Sequence, residues 1–233
     1  MMPIRKPGRQ KTNPREALVS ASKSANRTSS GRAASSRGAS RRGLIVGISG
    51  ASGAIYGVRL LETLRRLGIQ SHLVMSKAAE MTISYEIDRR PADVKALADV
   101  VYPVGDLGAP ISSGSFPTMG MIIAPCSVRS LAEIATGVTS SLLTRAADVT
   151  LKERRRLVLM LRETPLHSGH LRNMLALSDM GAIVAPPVPA FYARPKNLEE
   201  MVDHSIGRVL DLFGIDSGRV KRWSGEPATR KLR

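Results

Sequence analysis

One repeated unit constrains the fold of this chain more than any bulk property: a short apolar run, a turn of small or hydroxyl-bearing residues, then apolar residues at helical spacing. Residues 44–48 read as a strand that runs into the turn Gly47-Ile48-Ser49-Gly50-Ala51-Ser52-Gly53. Residues 54–67 then set Ile55, Val58, Leu61 and Leu64 at helical spacing and stop at Gly68. Ser71–Met75 is a second strand, and Ser76 is placed to cap a helix over Lys77–Glu86. A helix over residues 91–98 and a short strand about Val100 follow. Residues 103–118, with Pro, Gly and Ser throughout, read as a loop. Residues 121–124 form a buried strand ended by Pro125, and Ser127 starts a helix to Thr136. Arg156–Leu161 and residues 182–185 are further strands, and residues 198–213 form the closing helix. Strands alternating with helices predict an α/β fold, a three-layer, Rossmann-like parallel sheet with helices on both faces.

The charge is unevenly spread. Residues 1–42 hold eleven Lys or Arg against one acidic residue, Glu16, so +10 of the chain's +16 lies there. That stretch is rich in Ser, Ala and Gly and nearly lacks large apolar residues, which predicts a disordered basic tail. Its composition fits a transit peptide, an arm for anionic surfaces, or a plain solvated extension. The division expected is therefore tail 1–42, domain 43–215 and C-terminal extension 216–233. With no hydrophobic signal core and no apolar run of about 18 residues, neither secretion nor membrane spanning is expected. The single cysteine, Cys126, excludes an internal disulfide and fits a reducing compartment. The cytoplasm is expected, or mitochondria if the tail is an address.

Residues 144–175 hold the densest chemistry. An apolar run from Leu157 to Leu161 sits between basic clusters and is followed at once by Arg162, Glu163, Thr164 and Pro165. In open α/β sheets, residues beyond the carboxyl ends of strands face the ligand crevice. Arg145 and Lys152 lie seven residues apart, two helical turns, and can share a face. The expectation is a cationic pocket holding one carboxylate. Gly50, Ala51 and Ser52 of the first turn, with Ser76 and Ser127, put hydroxyls at three helix starts. Singly each serine reads as a cap; together they favour a shared anionic ligand. Glu86 ends its helix in a polar patch. Tyr192 lies in a proline-bracketed loop, and Arg208 stands among Ile206, Val209 and Leu210 on the last helix. His167 and His170 form a His-x-x-His pair without further ligands at metal spacing, so no metal is expected.

The segments SGASGAIYG, VMSKAA, ISSGSF, APCS, TRAADVTLKERR, RETP with HLRNM, and PPVPAFYARP occur in this order. From about Leu44 to Ile215 the chain resembles the flavin prenyltransferases, the UbiX-like family. The resemblance implies a flavodoxin-like fold, a homo-oligomer of dodecamer type built of trimers, and binding of FMN and dimethylallyl phosphate without a metal. It implies transfer of the prenyl group to N5 and C6 of reduced FMN, the prenylated FMN passing to a UbiD-like decarboxylase. It further assigns Gly50, Ala51, Ser52, Ser76, Ser127, Val128, Arg129, Ser130 and Arg162 to FMN. Tyr192 and Arg208 fall to the dimethylallyl phosphate, with Lys152 and Glu163 beside it and Arg145 lining its phosphate site. Glu86 falls near the reacting edge of the flavin.

Chemistry agrees with that assignment. Cations at Arg145, Lys152 and Arg208 would lower the barrier to releasing phosphate from an allylic carbon. Glu163 could relay a proton to or from the phosphate, and Glu86 could help take the C6 proton. The chain departs from the family pattern at Asp106-Leu107-Gly108, where some members carry an aromatic residue, at Val128 and Arg129, and at His167-Ser168-Gly169 and Arg172. Two alternatives stand beside this reading: an FMN-dependent decarboxylase of the same fold, and a non-catalytic flavin-binding protein. Scarce aromatics, 3% of residues, and a core charge of only +6 count against nucleic-acid binding.

Overall fold

The computed structural model describes residues 43–225. The expectation of a disordered tail over 1–42 falls outside them, as does the end of the C-terminal extension, 226–233.

Six parallel strands form one sheet: β1 (Gly43–Ile48), β2 (Ser71–Met75), β3 (Val100–Tyr102), β4 (Thr118–Cys126), β5 (Arg156–Leu161) and β6 (Ile183–Val184). Their order is β3-β2-β1-β4-β5-β6, so the winding reverses between β1 and β4 and a crevice opens at the carboxyl ends there. The helices are α1 (Ala54–Arg66), α2 (Lys77–Glu86), α3 (Pro91–Lys95), α4 (Val128–Ala135), α5 (Leu142–Lys152), α6 (Ser168–Asp179) and α7 (Leu198–Asp211).

Alternation along the strands divides the interior into two cores. Leu44, Val46 and Ile48 of β1 join Ile122, Val158 and Met160 against α1 and α7. Ile45, Met121, Ile123, Leu157 and Leu159 face the other way, against α4 and α5. Strands buried on both faces read as continuous apolar runs, which is why they were legible. Each fully buried Leu or Ile contributes about 1.5–3 kcal/mol.

Two expectations change. The strand assigned to residues 121–124 does not stop at Pro125; β4 continues to Cys126. Its pairing with β5 steps from Ile123↔Leu159 to Cys126↔Leu161. This irregularity absorbs a residue with no N–H to donate. Helix α6 was not anticipated: only Leu177 along it is fully buried, while Leu171 and Leu175 are exposed, so it lacks a sharp apolar stripe. The C-terminal extension, over residues 217–222, lies against α7: Ser217 is buried beside Gly207, Arg219 donates to Asp203 and Arg222 to Asp211. Among the described residues no helix is long and apolar enough to cross a membrane.

Candidate active site

Three helix starts converge beyond the carboxyl ends of β1, β2 and β4. The Oγ atoms of Ser76, Ser127 and Ser141 accept the backbone N–H groups of Ala79, Ser130 and Thr144, at 3.1, 3.2 and 3.3 Å. These bonds cap α2, α4 and α5. The three caps line a cavity of about 400 Å³ with Gly50, Arg129, Ser130 and Glu133, whose carboxylate accepts from Arg129 Nε at 2.9 Å. Helix starts carry partial positive charge and spare N–H donors, so their convergence favours negative charge in this cavity. Ala51 and Ser52 continue the loop from Gly50, and Val128 opens α4 with its side chain packed on the core. The sequence reading missed Lys77, Ser140 and Ser141 in this cavity. The serine pair ahead of Leu142 was the available signal, an N-cap before an apolar run. It also missed Ser49, a buried residue whose Oγ donates to the Pro125 carbonyl at 2.9 Å and accepts from Ser127 N–H at 2.7 Å. Ser49 thereby fixes the first loop against the third.

Along the same edge, Glu86 reaches from the end of α2 to the start of α1. Its Oε2 accepts the N–H groups of Gly53 at 2.7 Å and Ala54 at 3.0 Å. Gly53, with φ of 96°, sits in the left-handed region and offers no side chain to cap α1, so Glu86 supplies the cap from a distance. Burial alone would raise the Glu86 carboxyl. Hydrogen bonds from Ser52, Ala54 and Gly53 and the charge of Arg162 outweigh it, leaving the group below the usual carboxylate range. Arg162 follows β5 and approaches Ser52 Oγ at 3.4 Å. Ser52, Glu86 and Arg162, expected to serve one ligand, are therefore gathered on one stretch of edge. Glu163, next to Arg162, is exposed and accepts the N–H of Thr164 at 3.0 Å.

Tyr192 and Arg208 line a second cavity, of about 290 Å³, with Met160, Ala185 and His204. It lies at the carboxyl ends of β5 and β6. The Tyr192 ring meets that of His204 edge-on at 5.7 Å. Arg208 is not held on an apolar face as its neighbours implied. Its guanidinium is half-exposed and donates from Nη1 to Asp211 Oδ2 at 2.7 Å.

Lys152 does not join these groups within one chain. Lys152 ends α5, and Arg155, just beyond it, donates to the carbonyls of Gly114 and Phe116 at 2.6 and 2.7 Å. Those residues precede β4, so Lys152 stands at the amino edge of the sheet. Glu163 stands beyond the carboxyl end of β5, a strand of six residues or about 20 Å. Arg145 pairs with Asp148 at 2.8 Å and Lys152 with Glu153, both partly exposed. The single cationic pocket read from residues 144–175 is thus split: the strand between its halves separates them. Among the described residues no cluster of three or more His, Cys, Asp or Glu could hold a metal ion.

A doubly wound sheet with a hydroxyl-capped anion site at its switch point defines a nucleotide-binding α/β protein, and the model of the flavoprotein family matches residues 32–210. The flavin prenyltransferase UbiX of Thauera aromatica is 54% identical over 182 residues, covering 78% of this chain and 94% of the relative. A crystal structure of AnUbiX (PadA1) in complex with FMN and dimethylallyl pyrophosphate superposes with a TM-score of 0.79 at 53% identity, over 80% of this chain and all of that one. A dodecameric FMN-dependent UbiX-like decarboxylase from Escherichia coli O157:H7 gives 0.77 at 51% identity, over 78% and 99%. The chain belongs to the UbiX-like flavin prenyltransferase family.

Proposed function

We propose that the protein transfers the dimethylallyl group of dimethylallyl phosphate to N5 and C6 of reduced FMN, and that the prenylated FMN serves a UbiD-like decarboxylase. The observation that carries this reading is the presence of two cavities on one edge of the sheet, one lined by three helix caps and the other by Tyr192 and Arg208. The serine-capped cavity suits the phosphate of FMN. The Tyr192–Arg208 cavity suits the phosphate of the donor. Ser52, Glu86 and Arg162 occupy the edge from β1 to β5 that joins them.

The residues fit a flavin nucleotide: three helix starts and Arg129 face one cavity, and Gly50 lets the first loop close onto the start of α2, where a Cβ would come within 2.4 Å of Ala78 Cβ. Reduced FMN supplies the nucleophilic nitrogen and carbon. Arg208 and the Tyr192 hydroxyl hold the donor phosphate and stabilise the charge that grows on it as its C–O bond breaks. Glu86, ionised at neutral pH, is available to accept the proton lost from C6. Glu163 exchanges a proton with the departing phosphate.

Lys152 and Arg145 reach this chemistry through assembly. Lys152 stands at the amino edge of its own chain's sheet and both side chains are partly exposed, so we place the two in the site of a neighbouring copy, within a homo-dodecamer of the kind described for the Escherichia coli O157:H7 relative. We assign the protein to the cytoplasm, with residues 1–42 as the alternative mitochondrial address; imaging of full-length and tail-less fusions separates the two.

The test is anaerobic. Protein, reduced FMN and dimethylallyl phosphate are mixed, and the extracted flavin is weighed by mass spectrometry. A gain of one C5H8 unit is expected. Unmodified flavin with both the monophosphate and the diphosphate would overturn the reading.

A further inference from the structure

Residues 217–223 cross α7, touch Tyr192 of the proposed donor-phosphate pair directly and meet Arg208 through a shared partner, Asp211. The segment is anchored at two points. Arg219 donates to Asp203, whose carboxylate also receives Arg59 through Nε at 2.8 Å and Nη2 at 2.7 Å. Lys221 Nζ holds the Ala193 carbonyl, one residue past Tyr192, at 2.9 Å. Gly207 makes room for the crossing: a Cβ there would meet Val220 Cγ2 at 2.4 Å and Ser217 Oγ at 2.6 Å.

Beyond those anchors come two residues with different contacts. Trp223 sets its ring edge-on to Tyr192, with centroids 5.8 Å apart. Arg222 grips Asp211 with both terminal guanidinium nitrogens, Nη2 to Oδ1 at 2.7 Å and Nη1 to Oδ2. Asp211 Oδ2 is the same atom that receives Arg208. One carboxylate is thus shared by two arginines, and Arg222 takes the bidentate share. The Asp211 carboxyl is held below its usual range first by Arg222, with Arg208 contributing less.

We infer that residues 217–223 form a positioning strap for the donor-phosphate pair, in which Arg222 occupies the carboxylate of Asp211 and so frees Arg208 for the phosphate. This rests on the reading of Tyr192 and Arg208 given above. Without Arg222, Asp211 takes Arg208 in a closed, neutral pair. The guanidinium then turns from the cavity, and the local charge drops from +1 to zero. With Arg222 present, a phosphate competes for Arg208 against only a single hydrogen bond. Ion pairs this exposed contribute little to stability, so the role shows in ligand binding and leaves unfolding nearly unchanged.

The strap carries its own reporter, because Trp223 is the chain's one tryptophan. Full-length protein is titrated with dimethylallyl phosphate, and separately with inorganic phosphate, while Trp223 emission is followed. A saturable change is expected in the wild type. Arg222→Ala weakens the apparent affinity about tenfold, the effect of losing a charge-assisted contact, and raises KM for the donor while kcat stays within about twofold. Arg222→Lys recovers most of the loss. Asp211→Asn removes the competitor, so the double variant Asp211→Asn/Arg222→Ala binds like Asp211→Asn alone. FMN affinity is the same in all variants.

Three results would overturn the inference: a silent Trp223 in the wild type, an Arg222→Ala variant that binds as the wild type does, or a double variant as weak as Arg222→Ala. Failure of the function reading looks different. Flavin would stay unprenylated while phosphate still moved Trp223 emission with this variant pattern, and the strap would stand.

Discussion

Lys152 and Glu163 stand at opposite ends of β5, Lys152 just before its amino end and Glu163 just past its carboxyl end. A site that uses both draws them from different copies of the chain. Lys152→Ala and Glu163→Gln are each expected to lose turnover by at least about a hundredfold while still binding FMN. Co-assembled from a denatured equal mixture, the two inactive variants should recover about a quarter of wild-type activity, the share of sites in which both intact residues meet at random. Activity no higher than that of either variant would show that the site does not cross chains.

Ser76 and Ser127 cap α2 and α4 and face the same cavity. Replacing either with Ala removes a cap, at a cost of about 1 kcal/mol, and one hydroxyl from the anion site. Thermal unfolding should shift down by a few degrees, and flavin affinity should fall in both variants, measured by quenching of FMN fluorescence. Full FMN affinity in the doubly substituted chain would move the flavin phosphate elsewhere.

Glu86 gives a pH signature. Its carboxyl lies below the usual range in the folded chain because Ser52, Ala54 and Gly53 bond the ionised form and Arg162 attracts it, against the opposing effect of burial. A depressed folded value adds stability that is complete above the unfolded value, about 4.3, and is lost as pH falls through the folded one. Glu86→Gln lacks that contribution at every pH. The stability gap between wild type and variant, from denaturant unfolding, should therefore narrow on going from pH 6 to pH 3.5. A gap that stays constant would mean that the α1 cap does not depend on the charge.

Cys126 closes β4 with no exposed surface, and burial pushes its thiol up to about 12. A thiol so placed stays protonated near neutrality and is a poor nucleophile. A disulfide reagent at pH 8 should leave the native protein unlabelled and label one thiol in denaturant. Rapid labelling of the native chain would show that the loop between β4 and α4 opens.

Much of this protein was legible in one dimension. The runs at Ile45–Val46, Leu73–Met75 and Leu157–Leu161 are apolar throughout because parallel strands here are covered on both faces, and burial on both sides leaves little polar alternation to misread. Gly50, Ser76 and Ser127 could be paired with an anion because strand, cap and helix are local features, fixed by a few neighbouring residues. Helix α6 was not legible, since Leu171 and Leu175 point outward and no apolar stripe marks it.

Distances across the sheet were set by the tertiary structure alone. Sequence spacing put Arg145, Lys152, Arg162 and Glu163 in one short stretch, and the extended strand β5 placed Lys152 and Glu163 at opposite edges of the sheet. The reverse held for Glu86 and Gly53, 33 residues apart in sequence and 2.7 Å apart in space, and for Arg222, Asp211 and Arg208, which meet only because residues 217–223 fold back over α7. Periodicity and caps report on what a residue touches within a turn or two. Which strand end a side chain reaches depends on the winding of the whole sheet, because each parallel crossover returns the chain to the opposite edge before the next strand begins.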